Sequence, residues 1–151
     1  MEIDYFKIPE IKVTYSDNVK TTERIQVKNS DDLYKVFKVA FKDCMQHHEE
    51  AYVIYMNRAR RVMGISCISK CGTAETIVDI KIIMQQALKV NASCLAFCHN
   101  HPSCNLRPSE SDIEVTKKIS NACKILEISF VDHLIVTEES YYSFANEGLI
   151  V

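Results

Sequence analysis

A chain of 151 residues that is 47% hydrophobic holds enough apolar side chain for one ordinary core and not for two, so a single core domain is expected. A formal net charge of -2 and a pI near 6.2 exclude nucleic-acid binding by bulk basicity, which needs a cationic face to release counterions. Seven cysteines are an odd set, no basic-then-apolar leader opens the sequence, and no apolar run is long enough to span a bilayer. The expectation is a reducing cytoplasm and no membrane.

In chain order, alternation around Ile11, Val13 and Tyr15, and again at Ile25 and Val27, predicts a strand or hairpin in residues 1–29. Ser30, Asp31 and Asp32 supply an N-cap and acidic first turn for a helix to about Met45, with Leu33, Val36, Phe37, Ala40, Phe41 and Cys44 at helical spacing. Residues 51–57 and 62–69 read as antiparallel strands joined by a tight turn. Ile80, Ile83, Met84, Ala87 and Leu88 mark one face of a helix ending near Val90, and 94–99 reads as a buried strand. A loop with Pro102 and Pro108 leads to a helix over 109–126, then strands over 128–136 and 141–144. Several strand connections are too short for a parallel crossover. The fold class is therefore α/β, a sandwich of a mixed, largely antiparallel sheet flanked by helices.

The chemistry sits between His99 and Asp112. Two histidines one residue apart at a strand end project to one face, their Cα atoms about 6.5 Å apart at roughly 3.3 Å per residue. Their imidazoles can converge on one ion. The loop returns to a helix start where Asp112, in the first turn, can add a carboxylate oxygen. Two imidazoles and a carboxylate leave the fourth tetrahedral position of a zinc ion to water, which is the open, catalytic kind of site. The pKa of such a water falls to about 7.

His-x-His-Pro, six residues, Ser, two residues, Asp is the JAMM signature, and the chain resembles JAB/MPN metalloproteases, with HNHPS pointing to the RadC-like branch. EEAYVIYMNRARRVMGIS, ALKVNAS, DIEVTKKI, VDHLIV and YYSFANEGL agree with it. The likeness runs over residues 30–151, after an extension at 1–29, and implies the JAB/MPN, cytidine-deaminase-like fold. It implies His99, His101 and Asp112 as Zn2+ ligands, Ser109 as a hydrogen bonder of the oxyanion or the water, and an upstream glutamate as general acid/base. Glu49 matches that glutamate and Glu50 is its rival; neighbours on a strand face opposite ways, so only one can serve. The implied activity is zinc-dependent hydrolysis of a peptide or isopeptide amide in a peptide or protein substrate. The family label adds DNA repair. The alternative is a non-catalytic or nucleic-acid-associated module, for which Arg58, Arg60, Arg61, Lys117 and Lys118 supply local positive charge and weak DNA association.

Plainer readings stand beside these. Ser109 and Asp112 also form a capping box. His47 and His48 fit a solvated turn. Asp132 and His133 fit a hydrogen-bonded buried pair or, more specifically, groups orienting a zinc ligand. Cys67 and Cys71 read as core or surface thiols, and Cys94 and Cys98 as core. His-Asn-His in succession differs from HNH nucleases, whose namesake residues are spread over a ββα unit. The RadC-like resemblance implies glycine after HNHPS, where Cys104 stands; cysteine there either strains the loop or brings a thiol within reach of the metal.

Overall fold

Asn29, extended at φ -151°, starts the first helix by accepting the amide of Asp32 on its side chain. The computed structural model describes residues 14–70 and 78–150. Helix α1 spans Ser30–Ala40 and buries Leu33 and Phe37. Its cap is thus Asn29 and not Ser30, whose hydroxyl instead reaches Asp132 at 2.8 Å. The helix also ends before Met45, with turns over 41–47. The reason is tertiary: the Asn100 amide takes the carbonyls of Cys44, Met45 and His48 at 3.4, 3.1 and 2.9 Å.

Strands β1 (Glu50–Met56), β2 (Val62–Lys70), β3 (Cys94–Asn100), β4 (Ser129–Val136) and β5 (Tyr141–Ser143) form one sheet in the order β2-β1-β3-β4-β5. All neighbours are antiparallel except β3 and β4. That parallel pair needs a long crossover, supplied by α3 (Glu110–Ile125). Helix α2 spans Ile80–Lys89, capped by Asp79. The mixed, largely antiparallel α/β architecture is the expected one.

Side chains alternate about the sheet plane. Ile54, Met56, Ala96 and Cys98 meet Leu33, Phe37 and Phe41 on the α1 face. Ala51, Val53, Tyr55, Leu95 and Phe97 meet Ile83, Ala87, Ile119 and Cys123 on the α2 and α3 face. Burying each large side chain stabilises by roughly 1.5–3 kcal/mol. Central β3 is buried at every position, as its unbroken apolar run requires.

The extension departs from expectation. Ile11 and Val13 lie outside the described residues, and 14–28 hold a 3-10 turn at Thr21–Glu23 and one isolated bridge, Gln26 to Arg61, where a strand or hairpin was expected. Arg61 also donates its guanidinium to the Arg24 carbonyl at 3.0 Å, so this segment is laid along the start of β2 by side chain as much as by backbone. Among the described residues no helix is long and apolar enough to cross a membrane.

Candidate metal centre

β3 ends at Asn100 and hands the chain to the loop before α3, so the histidines flank the strand terminus. Ala51 pairs with His99 across β1 and β3, which sets Glu49 and His99 on the same side of the sheet. Glu49, His99, His101, Ser109 and Asp112 all line one cleft, together with Arg107. Glu50 faces the other way, into hydrogen bonds with His48 and Tyr52. The structure thus separates the two glutamates, with Glu49 beside the histidines.

His99 Nε2 lies 3.0 Å from His101 Nε2 and 3.1 Å from Asp112 Oδ1. An ion about 2.0–2.1 Å from each donor in tetrahedral geometry sets donors roughly 3.3 Å apart, which these two separations and the 3.7 Å between His101 Nε2 and Asp112 Oδ2 bracket. His99 is almost fully buried, while His101 and Asp112 keep a partial opening to solvent.

Hydrogen bonds decide which ring nitrogens point inward. His101 Nδ1 sits 2.6 Å from the Asn105 carbonyl, an acceptor only, so Nδ1 carries the proton and Nε2 offers its lone pair. Behind His99 a longer chain does the same. Thr116 donates its only proton to the Asp112 carbonyl at 2.7 Å, so His133 Nδ1 donates to Thr116 at 2.6 Å, and His133 Nε2 accepts from His99 Nδ1 at 2.9 Å. Burial holds His133 well below the usual histidine range, consistent with a neutral ring. In these tautomers His99 Nε2, His101 Nε2 and the Asp112 carboxylate meet as three electron-pair donors, with Oδ1 nearest His99 and Oδ2 3.7 Å from His101. A proton satisfies one contact at a time; a cation satisfies all three.

Asp112 does two jobs with two oxygens. Oδ2 accepts the amide and hydroxyl of Ser109 at 2.8 and 2.6 Å, closing the capping box of α3, while Oδ1 faces His99. Burial pushes the carboxyl up, but His99 and Ser109 outweigh it and hold Asp112 well below the usual carboxylate range. The hydroxyl of Ser109 also accepts from the Asp112 amide at 3.1 Å. Its proton is directed to Asp112 Oδ2, so the residue steadies a candidate ligand.

Cys104 has φ 59°, the left-handed backbone for which glycine was expected. Its exposed thiol is directed at the Pro102 carbonyl, 3.9 Å away, and stands outside the converging group. Asp132 and His133 part company. Asp132 ties β4 to Ser30, Ser143 and the Ala145 amide, and His133 alone reaches a candidate ligand. Thr116, Asn105 and Asn100 were not singled out from sequence. Only the parity of Asn100 between two inward histidines signalled that it faces the opposite side.

The described cysteines 44, 67, 94, 98, 104 and 123 are free thiols. Cys71 lies outside the described residues.

A family model described as "RadC-like JAB domain" matches residues 27–149. Relatives carry the name UPF0758 protein. That of Flavobacterium johnsoniae is 45% identical over 102 residues, 68% of this chain and 44% of the relative. That of Porphyromonas gingivalis is 34% identical over 128 residues, 84% and 56% respectively. That of Fusobacterium nucleatum is 32% identical over 145 residues, 91% and 61%. The chain thus spans about half the length of the curated relatives it matches.

Proposed function

Since this chain belongs to the RadC-like JAB domain family, we propose that it is a zinc-dependent hydrolase of an amide bond, peptide or isopeptide, with His99, His101 and Asp112 as the metal ligands. The observation that carries this reading is the convergence of the ligand atoms of His99, His101 and Asp112 within 4.8 Å of one another, His99 Nε2 standing 3.0 Å from His101 Nε2 and 3.1 Å from Asp112 Oδ1, with no thiolate among them. Two imidazoles and a carboxylate suit zinc and leave a coordination position open.

A zinc ion held there supplies Lewis acidity, polarising a substrate carbonyl and easing ionisation of a water. Glu49, on the cleft wall, takes the proton of the attacking water on its carboxylate and returns it to the leaving amine. Ser109 keeps Oδ2 of Asp112 occupied so that Oδ1 stays turned to the ligand group. His133 and the Asn105 carbonyl hold the two imidazoles in the tautomer that donates from Nε2.

The test is zinc occupancy of the purified protein against His101→Ala, paired with chelator-sensitive cleavage of amide substrates by wild type and Glu49→Gln. Expected is zinc near one equivalent at this site, lost in His101→Ala, and cleavage reduced roughly 10²–10⁴-fold in Glu49→Gln with zinc retained. Equal zinc in wild type and His101→Ala would sink the reading. Salt-dependent DNA binding that survives chelation would favour the nucleic-acid-associated alternative.

A further inference from the structure

On the opposite face of β1 from Glu49, a second set of ligand-type side chains closes on itself. Cys44 Sγ, a ring nitrogen of His48 and a carboxylate oxygen of Glu50 all lie within 4.8 Å of one another. His48 Nε2 is 2.9 Å from Glu50 Oε1. Cys44 and Glu50 are buried at 4% and 5% exposure, whereas the His48 side chain is 38% exposed, so protein walls the cluster and the histidine is its door to solvent.

The scaffold is braced. Tyr52 donates to Glu50 Oε2 at 2.7 Å, which leaves Oε1 turned to His48. Asn100 accepts the Glu50 amide at 2.7 Å and donates to the carbonyls of Cys44, Met45 and His48, so one side chain pins the backbone of all three residues. A turn with so many tertiary anchors holds its side chains in register, the preorganisation a ligand site needs. Among the described residues the Lys70 ammonium lies 3.6 Å from Oε1 on a side chain 69% exposed, which can withdraw into water.

We propose that Cys44, His48 and Glu50 form a second metal site, for a borderline divalent ion of the zinc or cobalt(II) class, back to back with the His99, His101 and Asp112 group. Thiolate, imidazole and carboxylate are all ligands of such ions, at about 2.3, 2.0–2.1 and 2.0–2.2 Å. Tetrahedral binding sets these donors roughly 3.3–3.6 Å apart, within the reach of rotamer adjustment from the observed cluster. On binding, the S–H bond of Cys44 breaks, its proton leaves to solvent, the sulfur–metal bond forms, and Lys70 gives up its contact with Glu50. The thiolate sets this site apart, because the first group contains none.

That difference makes the test specific. Apoprotein of the whole chain is titrated with cobalt(II), reading thiolate-to-cobalt charge-transfer absorption and bound metal. Wild type is expected to show the band with about two ions per chain, and His48→Ala to lose the band and fall to about one. His101→Ala, which removes only the first group, is expected to keep the band, so failure of the proposed hydrolase site and failure of this one are told apart. His48 is partly exposed and its variant is expected to keep the wild-type unfolding midpoint; Cys44→Ser provides a second loss of the band. No band in wild type, or a band that persists in both His48→Ala and Cys44→Ser, overturns the proposal.

Discussion

His133 Nε2 lies 2.9 Å from His99 Nδ1, joining a buried residue of β4 to the end of β3. The ring of His133 also stacks on Phe144, centroids 4.3 Å apart and planes 3° from parallel. Packing and hydrogen bonding at this position are therefore separable.

His133→Phe keeps an aromatic ring against Phe144 and removes the acceptor for His99. Metal affinity at the His99 group is expected to fall about 10–100-fold. Competition with a chromophoric chelator measures it, and unchanged affinity would show that His133 serves packing alone.

Ser109→Ala removes the side-chain half of the capping box on α3. The expected cost is about 1 kcal/mol, against only a few tenths for Ser109→Gly. Thermal unfolding should show a fall in Tm of roughly 2–4 °C for the alanine variant. Equal Tm in wild type and alanine variant would remove the cap from the account.

Cys104→Gly relieves a left-handed residue with φ 59°. Stabilisation of about 1 kcal/mol is expected, raising Tm by roughly 2–4 °C. Cys104→Ala removes the thiol but keeps the Cβ in the same backbone, so it should gain nothing. A gain in both variants would place the effect in the sulfur.

Burial pushes the Cys123 thiol up to about 12. Between an unfolded value of about 8.5 and that folded value, the unfolded chain loses a proton that the folded chain keeps. The unfolded state then binds fewer protons, so stability is full below about pH 8.5 and falls as pH rises toward 12. Urea midpoints taken from pH 8 upward should decline less steeply in Cys123→Ala than in wild type. Parallel declines would assign the alkaline loss to other groups.

Much of the site was legible because its signals are local. Two histidines one residue apart at a strand end must share a face, and S-x-x-D after Pro108 must cap a helix, whatever the rest of the chain does. The glycine-like backbone at Cys104 was signalled only by the resemblance to the RadC-like pattern. Parity also stated that Glu49 and Glu50 oppose each other. It did not state which of them faces the histidines, since that depends on Ala51 standing across from His99.

The sequence by itself determined the periodicities, the caps and the ligand spacing, because each arises from contacts within a few residues. Only the tertiary structure decided where α1 stops, that Asp132 belongs to Ser30 while His133 belongs to His99, and that Cys44, His48 and Glu50 meet. Those outcomes rest on partners far apart in the chain, Asn100 holding the turn before β1 and β4 lying parallel to β3. A hydrogen bond between distant residues leaves no period in the sequence. It exists only once the sheet has chosen its order and register.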